Sequence, residues 1–144
     1  MRLKIWFFSI LGLLILGMAV YGYFQAISGP ENGAENAPKI EITPEFFDFG
    51  EIEYGKVVEY IFKVKNTGKE ILEIKRVATS CACTVAKISK EKISPNEEVE
   101  LLVTYDTGAM SGPHGRGKQE RIIYVKSSDF INPQVEVKIY ANVR

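Results

Sequence analysis

Val58-Glu59-Tyr60-Ile61-Phe62-Lys63-Val64-Lys65 alternates apolar and charged residues almost without a break. Val58, Tyr60, Phe62 and Val64 fall on one side of an extended chain, and Glu59, Lys63 and Lys65 on the other. Successive strand side chains point to opposite faces, so this period of two predicts a β-strand with one face on a core. Ile61 interrupts the charged side, which predicts that this side is partly covered.

The same period recurs downstream. Leu72 and Ile74 alternate with Glu73 and Lys75; Val99, Leu101, Val103 and Tyr105 with Glu98, Glu100 and Thr104. Ile122 and Tyr124 share a face while Ile123 and Val125 fill the other, and Val135, Val137, Ile139 and Ala141 alternate with Gln134, Glu136 and Lys138. Turn residues separate the runs: Asn66-Thr67-Gly68, with Gly68 suited to positive φ, then Ser94-Pro95-Asn96-Glu97, then Asn132-Pro133. No stretch of this region has helical periodicity. The expected fold is all-β: an immunoglobulin-like antiparallel β-sandwich of about seven strands, preceded by one N-terminal transmembrane helix. The Cys…Trp…Cys pattern of antibody domains is missing, since the sole tryptophan is Trp6.

Residues 5–24 hold no charged side chain. At about 1.5 Å per residue, such a helix matches the roughly 30 Å of a bilayer core. Arg2 and Lys4 precede it, which places residues 1–4 in the cytoplasm and the rest of the chain outside. A cleaved signal peptide has a shorter apolar region, usually about 7–15 residues, so an uncleaved anchor is the expectation. Residues 25–38 are polar and rich in Gly, Pro and Asn, a flexible linker. Residues 39–144 form the extracytoplasmic domain of a single-pass cell-membrane protein.

The chain of 144 residues carries 18 basic and 18 acidic side chains. Without Arg2, Lys4, Glu31 and Glu35, residues 39–144 remain balanced at 16 of each. No basic stripe emerges, which argues against nucleic acid as a partner. The expected partners are the membrane, through residues 5–24, and an envelope protein, through an exposed edge strand.

The only cysteines lie in Ser80-Cys81-Ala82-Cys83-Thr84. Three readings stay open. The pair can pack as small apolar side chains in the core. It can form a disulfide or act in redox exchange, in a compartment where disulfides persist. In an extended strand, however, residues i and i+2 lie about 6.6 Å apart with parallel side chains, so a disulfide needs a bend. The cations nearest in sequence, Arg76 and Lys87, are too remote to lower a thiol pKa. Third, the pair can hold a soft ion such as Cu(I), together with Met110 or His114 from the Gly-rich stretch Thr107–Gly117. Cu(I) is the one cofactor these residues suggest, since Cys81, Cys83 and His114 fall short of the usual four ligands of structural zinc. With one histidine in a glycine-rich loop, no nucleophile–base–acid set is present, and an enzyme is not expected.

Phe47-Asp48-Phe49-Gly50-Glu51-Ile52 with Gly55, then Phe62, Asn66-Thr67-Gly68 and Leu72-Glu73-Ile74, resembles the opening of the bacterial family called domain of unknown function 1573. Ser80-Cys81-Ala82-Cys83-Thr84 is similar to its Ser-Cys-Gly-Cys-Thr signature, and Pro95-Asn96-Glu97 to its Pro-Gly-Glu turn. Asp106, Gly117-Lys118-Gln119, Ser128-Asp129, Asn132-Pro133 and Ala141-Asn142-Val143 continue the match. The resemblance implies an immunoglobulin-like sandwich related to Hydin-type and major-sperm-protein-like modules, exported behind a membrane or lipoprotein signal. It implies no activity. Two departures stand out: Ala82 replaces Gly, and the stretch Thr107–Gly117 is longer than usual.

The expected role is that of a membrane-anchored binding or assembly module. The alternative is a thiol-redox or Cu(I)-handling protein using Cys81 and Cys83.

Overall fold

The computed structural model describes residues 12–23 and 36–144, except the side chains of Pro113 and His114. Residues 12–23 are helical. The expected span, residues 5–24, runs beyond the described residues at both ends, and among the described residues no helix is long and apolar enough to cross a membrane. The linker expected at 25–38 also lies mostly outside them.

The chain divides into two units between Ala34 and Glu35. The second unit is a two-sheet sandwich. One sheet has the order β1-β3-β7-β5 and the other β2-β9-β8-β4-β6. The strands are β1 (Ile40–Thr43), β2 (Phe46–Ile52), β3 (Val57–Asn66), β4 (Leu72–Thr79), β5 (Thr84–Ile88), β6 (Lys92–Ile93), β7 (Glu98–Asp106), β8 (Gly117–Ser127) and β9 (Gln134–Val143). The described residues thus hold nine strands, against the expected seven or so. β6 is only two residues long, too short for its alternation to show in sequence. β2 is irregular: its pairing with β9 shifts between Asp48 and Glu51. It is also parallel to β9, so the sandwich is not wholly antiparallel. A 3-10 turn at Gly112–Gly115 is a further element without a periodic signal.

Val58 to Lys65 form the centre of β3, as their alternation predicts. Phe62 and Val64 are fully buried, while Val58 and Tyr60 are half-buried toward the strand's other end. Lys63 ion-pairs at 3.0 Å with Glu100 of the neighbouring β7, on the outer face. Leu101, Val103 and Tyr105 of β7 face Ile123 and Val125 of β8 and Val137 and Ile139 of β9 in one core cluster. Burying each such side chain stabilises by about 1.5–3 kcal/mol.

The Phe-Asp-Phe-Gly motif locks β2 onto that core. Phe47 stacks on Tyr60 at 3.7 Å between ring centres, linking the two sheets, and meets Phe49 edge-on at 4.9 Å. Gly50 takes φ +68 at the irregularity, and its N–H donates to Asp48 Oδ1 at 2.8 Å. Only a residue without Cβ adopts this conformation at little cost.

At one end of the sandwich the buried Asn66 side chain uses all its hydrogen-bonding capacity. Its Oδ1 accepts from Lys39 N–H at 3.3 Å and Gly68 N–H at 3.0 Å. Its Nδ2 donates to the carbonyls of Glu70 at 2.7 Å and Ile93 at 2.9 Å. Gly68 does not take the positive φ expected of it. Its lack of a Cβ serves close approach instead: a Cβ there would lie 2.1 Å from the Ala37 carbonyl oxygen. Buried Asp129 ties the β8–β9 connection to the same end, accepting from Ile40 N–H at 3.0 Å and from the Ile131 and Asn132 N–H groups at 2.9 Å.

Candidate functional site

Ser80–Cys83 form a turn between β4 and β5. Its position is fixed from both sheets. Ser80 N–H donates to the Ile122 carbonyl at 2.9 Å and Ile122 N–H to Ser80 Oγ at 3.0 Å, which holds the turn to β8. Asp106 N–H donates to the Cys83 carbonyl at 2.9 Å, which holds it to β7. Thr84 N–H closes the turn onto the Cys81 carbonyl at 3.3 Å.

Cys81 and Cys83 are joined in a disulfide, with Cα atoms 5.3 Å apart. The extended-strand spacing that stood against this pairing does not apply, because the turn supplies the bend. Ala82 carries no backbone strain: among the described non-glycine residues only Asn96 has positive φ. The two sulfurs differ in setting. Cys83 is buried and belongs to the core cluster, whereas Cys81 is half-buried at its margin. Thr84 Oγ1 lies 3.5 Å from the Cys81 sulfur and 3.7 Å from that of Cys83.

Arg121 of β8 approaches this disulfide, and its Nε–H donates to Cys83 Sγ at 3.0 Å. Nη1 donates to the Glu120 carbonyl at 2.8 Å and Nη2 to Gln119 Oε1, which fix the guanidinium plane. Its Cζ sits 5.5 Å from the centre of the Tyr105 ring. Burial pushes the Tyr105 hydroxyl above its ordinary pKa, while Arg121 pulls it the other way. The cations nearest in sequence, Arg76 and Lys87, are therefore not the relevant ones: Arg121 stands beside the disulfide, contributed from 38 positions away. The signal was present in the sequence. Arg121 has the parity of buried Ile123 and Val125, so it is a charge on the inward register of β8.

Met110 comes to the same place. Its sulfur lies 4.0 Å from Arg121 Nη2, which sets the guanidinium between Met110 and the disulfide. The stretch carrying Met110 is held down. Tyr54 Oη contacts the carbonyls of Met110 at 3.2 Å and Gly108 at 3.4 Å, and Arg116 Cζ stacks 4.4 Å above the Tyr54 ring. Gly115 is buried so tightly that a Cβ would lie 2.1 Å from the Met110 carbonyl oxygen. Cys81, Met110, Gln119 and Arg121 line an open cleft of about 540 Å³, together with the charged side chains of Arg116, Lys118 and Glu120. His114 lies in the 3-10 turn, and its side chain is outside the described residues. Among the described residues no group of three or more His, Cys, Asp or Glu side chains is placed to hold a metal. Cys81 and Cys83 can hold Cu(I) only as thiolates, so copper binding by this pair would begin with reduction of the disulfide.

Residues 40–143 match the family described as Protein of unknown function (DUF1573). No curated protein matches the chain. Among solved structures, a protein of unknown function from Porphyromonas gingivalis W83 is similar, with a TM-score of 0.68 at 20% identity over 80% of this chain. The match takes in 51% of that protein, so the chain spans about half its length. PapD-like domain 7 (ASH / PapD-like) of human CEP192 is similar with a TM-score of 0.56 at 14% identity, over 81% of this chain and 92% of that one. The YadV chaperone gives 0.50 at 13% identity, over 72% and 51%. At such identities these likenesses speak for the fold alone.

Proposed function

The chain belongs to the DUF1573 family, a family of unknown function, and from that premise we propose that its sandwich is a membrane-tethered, extracytoplasmic binding or assembly module that accepts an extended segment of a partner protein at β5. The observation that carries this reading is the open edge of β5. β5 pairs with β7 on one side and, among the described residues, has no strand on the other. Asp106 N–H bonds the Cys83 carbonyl and Ser89 N–H bonds the Glu100 carbonyl. By the alternation of an antiparallel ladder, the backbone groups of Ala86 and Ile88 then face outward. A partner strand would pair with these groups.

Side chains supply selectivity. A groove of about 310 Å³ runs between β5 and β4, floored by Ile74, Val77, Ala86 and Ile88. β6 covers β4 only at Leu72 and Glu73, so among the described residues the rest of that flank has no strand beside it. Lys75, Arg76 and Lys87 rim the groove against the single carboxylate of Glu91. This arrangement suits a segment with alternate apolar side chains and acidic residues between them. The uncharged stretch 5–24, behind Arg2 and Lys4, supports a tether that carries the sandwich outside the membrane.

The test is site-specific photocrosslinking in cells producing the full chain. A crosslinker in place of Val85, which is 50% exposed on β5, should yield a discrete adduct. One in place of Glu59, on a central strand, should not. Ala86→Pro removes an outward N–H at an edge that tolerates proline, and should abolish the adduct. No adduct from position 85, or equal adducts from 59, would overturn the reading. Protease added to intact spheroplasts should cleave the sandwich; protection until lysis would refute the tether.

A further inference from the structure

We infer that the Cys81–Cys83 disulfide is an exchange site with a fixed direction: a partner's thiolate attacks Cys81, and Cys83 leaves as a thiolate held by Arg121. This goes beyond the strand-binding reading and does not depend on it.

Direction follows from the setting of the two sulfurs. Thiol–disulfide exchange needs an accessible sulfur for attack and a leaving thiol of low pKa. Cys81 is half-buried and lines the open cleft; Cys83 is 3% exposed and does not line it. A guanidinium is always charged, and beside a sulfur it favours the thiolate. Here Arg121 Nε–H already points at Cys83 Sγ at 3.0 Å, so the charge is in place before the bond breaks. Gln119 Oε1 and the Glu120 carbonyl hold the guanidinium, so little reorganisation is needed. Thr84 Oγ1, 3.7 Å from the same sulfur, can turn its hydroxyl toward the developing charge.

The step balances with a protein dithiol as the co-reactant. The partner's first thiolate forms a bond to Cys81 Sγ, the Cys81–Cys83 bond breaks, and the electron pair leaves on Cys83. The partner's second thiolate then attacks its own sulfur in the mixed disulfide and releases Cys81 as a thiolate. The partner loses two electrons to form its disulfide, and the domain gains two as a dithiol. In the reverse sequence a partner disulfide is the oxidant. The Cys81 thiolate attacks it and releases one partner thiolate; the Cys83 thiolate then attacks Cys81 Sγ and releases the other. The domain returns to its disulfide while the partner is left as a dithiol. Arg116, Lys118 and Arg121 line the cleft against the single carboxylate of Glu120, and this excess of positive charge favours a partner whose cysteines lie among acidic residues.

The test uses the full chain in detergent micelles and reduced glutathione as the probe thiol. Acid quenching followed by peptide mass spectrometry locates the mixed disulfide. The expected adduct is on Cys81; an adduct on Cys83 would overturn the direction. Arg121→Gln should slow exchange on the order of tenfold by raising the pKa of the leaving thiol, and Arg121→Lys should restore much of the rate. Equal rates in the wild type and a folded Arg121→Gln protein would refute the role of Arg121. Should Arg121→Gln fail to fold, mapping on the wild type and the Arg121→Lys rate still decide the proposal. No exchange with millimolar glutathione at pH 8 over hours would refute it outright. Because strand binding is read by crosslinking at position 85, either result can fail without the other.

Discussion

The Asn66 side chain and the Gly68 backbone act as one unit: Asn66 Oδ1 accepts the Gly68 N–H at 3.0 Å, in a space where a Cβ on Gly68 would meet the Ala37 carbonyl oxygen at 2.1 Å. The same amide bonds Lys39, Glu70 and Ile93, so one buried side chain joins the chain entering β1, the β3–β4 connection and β6. Asn66→Ala leaves these backbone groups without partners. Each buried polar group so orphaned costs about 1–3 kcal/mol, and partial access of water reduces the sum. The expected loss is about 3 kcal/mol in urea unfolding. A loss under about 1 kcal/mol would mean that water replaces the amide at little cost.

Gly68→Ala should be as damaging, for a steric reason. The contacts a Cβ would make are all with backbone, at 2.1 Å to Ala37, 2.6 Å to Lys39 and 2.8 Å to Pro38, and backbone cannot swing aside as a flexible side chain does. The chain before β1 would have to detach. An expected loss of about 2 kcal/mol or more would be read in the unfolding midpoint, with Lys39 and Ile40 amides losing protection from hydrogen exchange.

Asn96 is the residue whose backbone needs a glycine-like conformation, at φ +62. Asparagine tolerates this region better than other side chains with a Cβ. Asn96→Gly should therefore keep stability within about 0.5 kcal/mol, while Asn96→Ala should lose about 1 kcal/mol. Equal losses would show that the Asn96 side chain, not its backbone, matters in this turn.

Phe62→Ala tests how far the alternation in the sequence can be trusted. Phe62 is fully buried and meets Tyr60 edge-on at 4.9 Å, so the expected cost is about 3–5 kcal/mol in chemical denaturation. A cost under about 1 kcal/mol would contradict the register of β3.

The strands legible in the sequence were those with one face on the core over several residues, such as Val58–Lys65 and Val99–Tyr105. β6 is too short to show a period, and β2 breaks its own at Gly50. The candidate site was legible only in its local part. Cys81 and Cys83 lie one residue apart in the chain, but Arg121 reaches them through the pairing of β4 with β8. That pairing brings Thr79 opposite Ile123; parity marks Arg121 as inward, but spacing along the chain does not say that it meets the cysteine turn. Gly68 shows a different limit: its motif was recognisable, yet close packing and positive φ call for the same residue.

Tyr105 gives the site a signature in alkaline solution. Burial raises its pKa above the ordinary value of 10.0, with Arg121 opposing. A raised pKa means that the folded chain holds this proton more tightly than the unfolded chain. The associated stability is thus fully present below pH 10 and is lost as pH rises through the folded value. Other tyrosines and lysines titrate in the same range, so the quantity to measure is the difference between the wild type and Tyr105→Phe. Unfolding free energies of the two should run parallel below pH 10, and the wild type should fall relative to the variant above it. Arg121→Gln removes the opposing charge, so it should raise the Tyr105 pKa further and steepen the wild-type-like decline. Parallel curves across the alkaline range would show that the hydroxyl titrates as it does in water, and that the ring's environment beside the disulfide is wetter than its burial indicates.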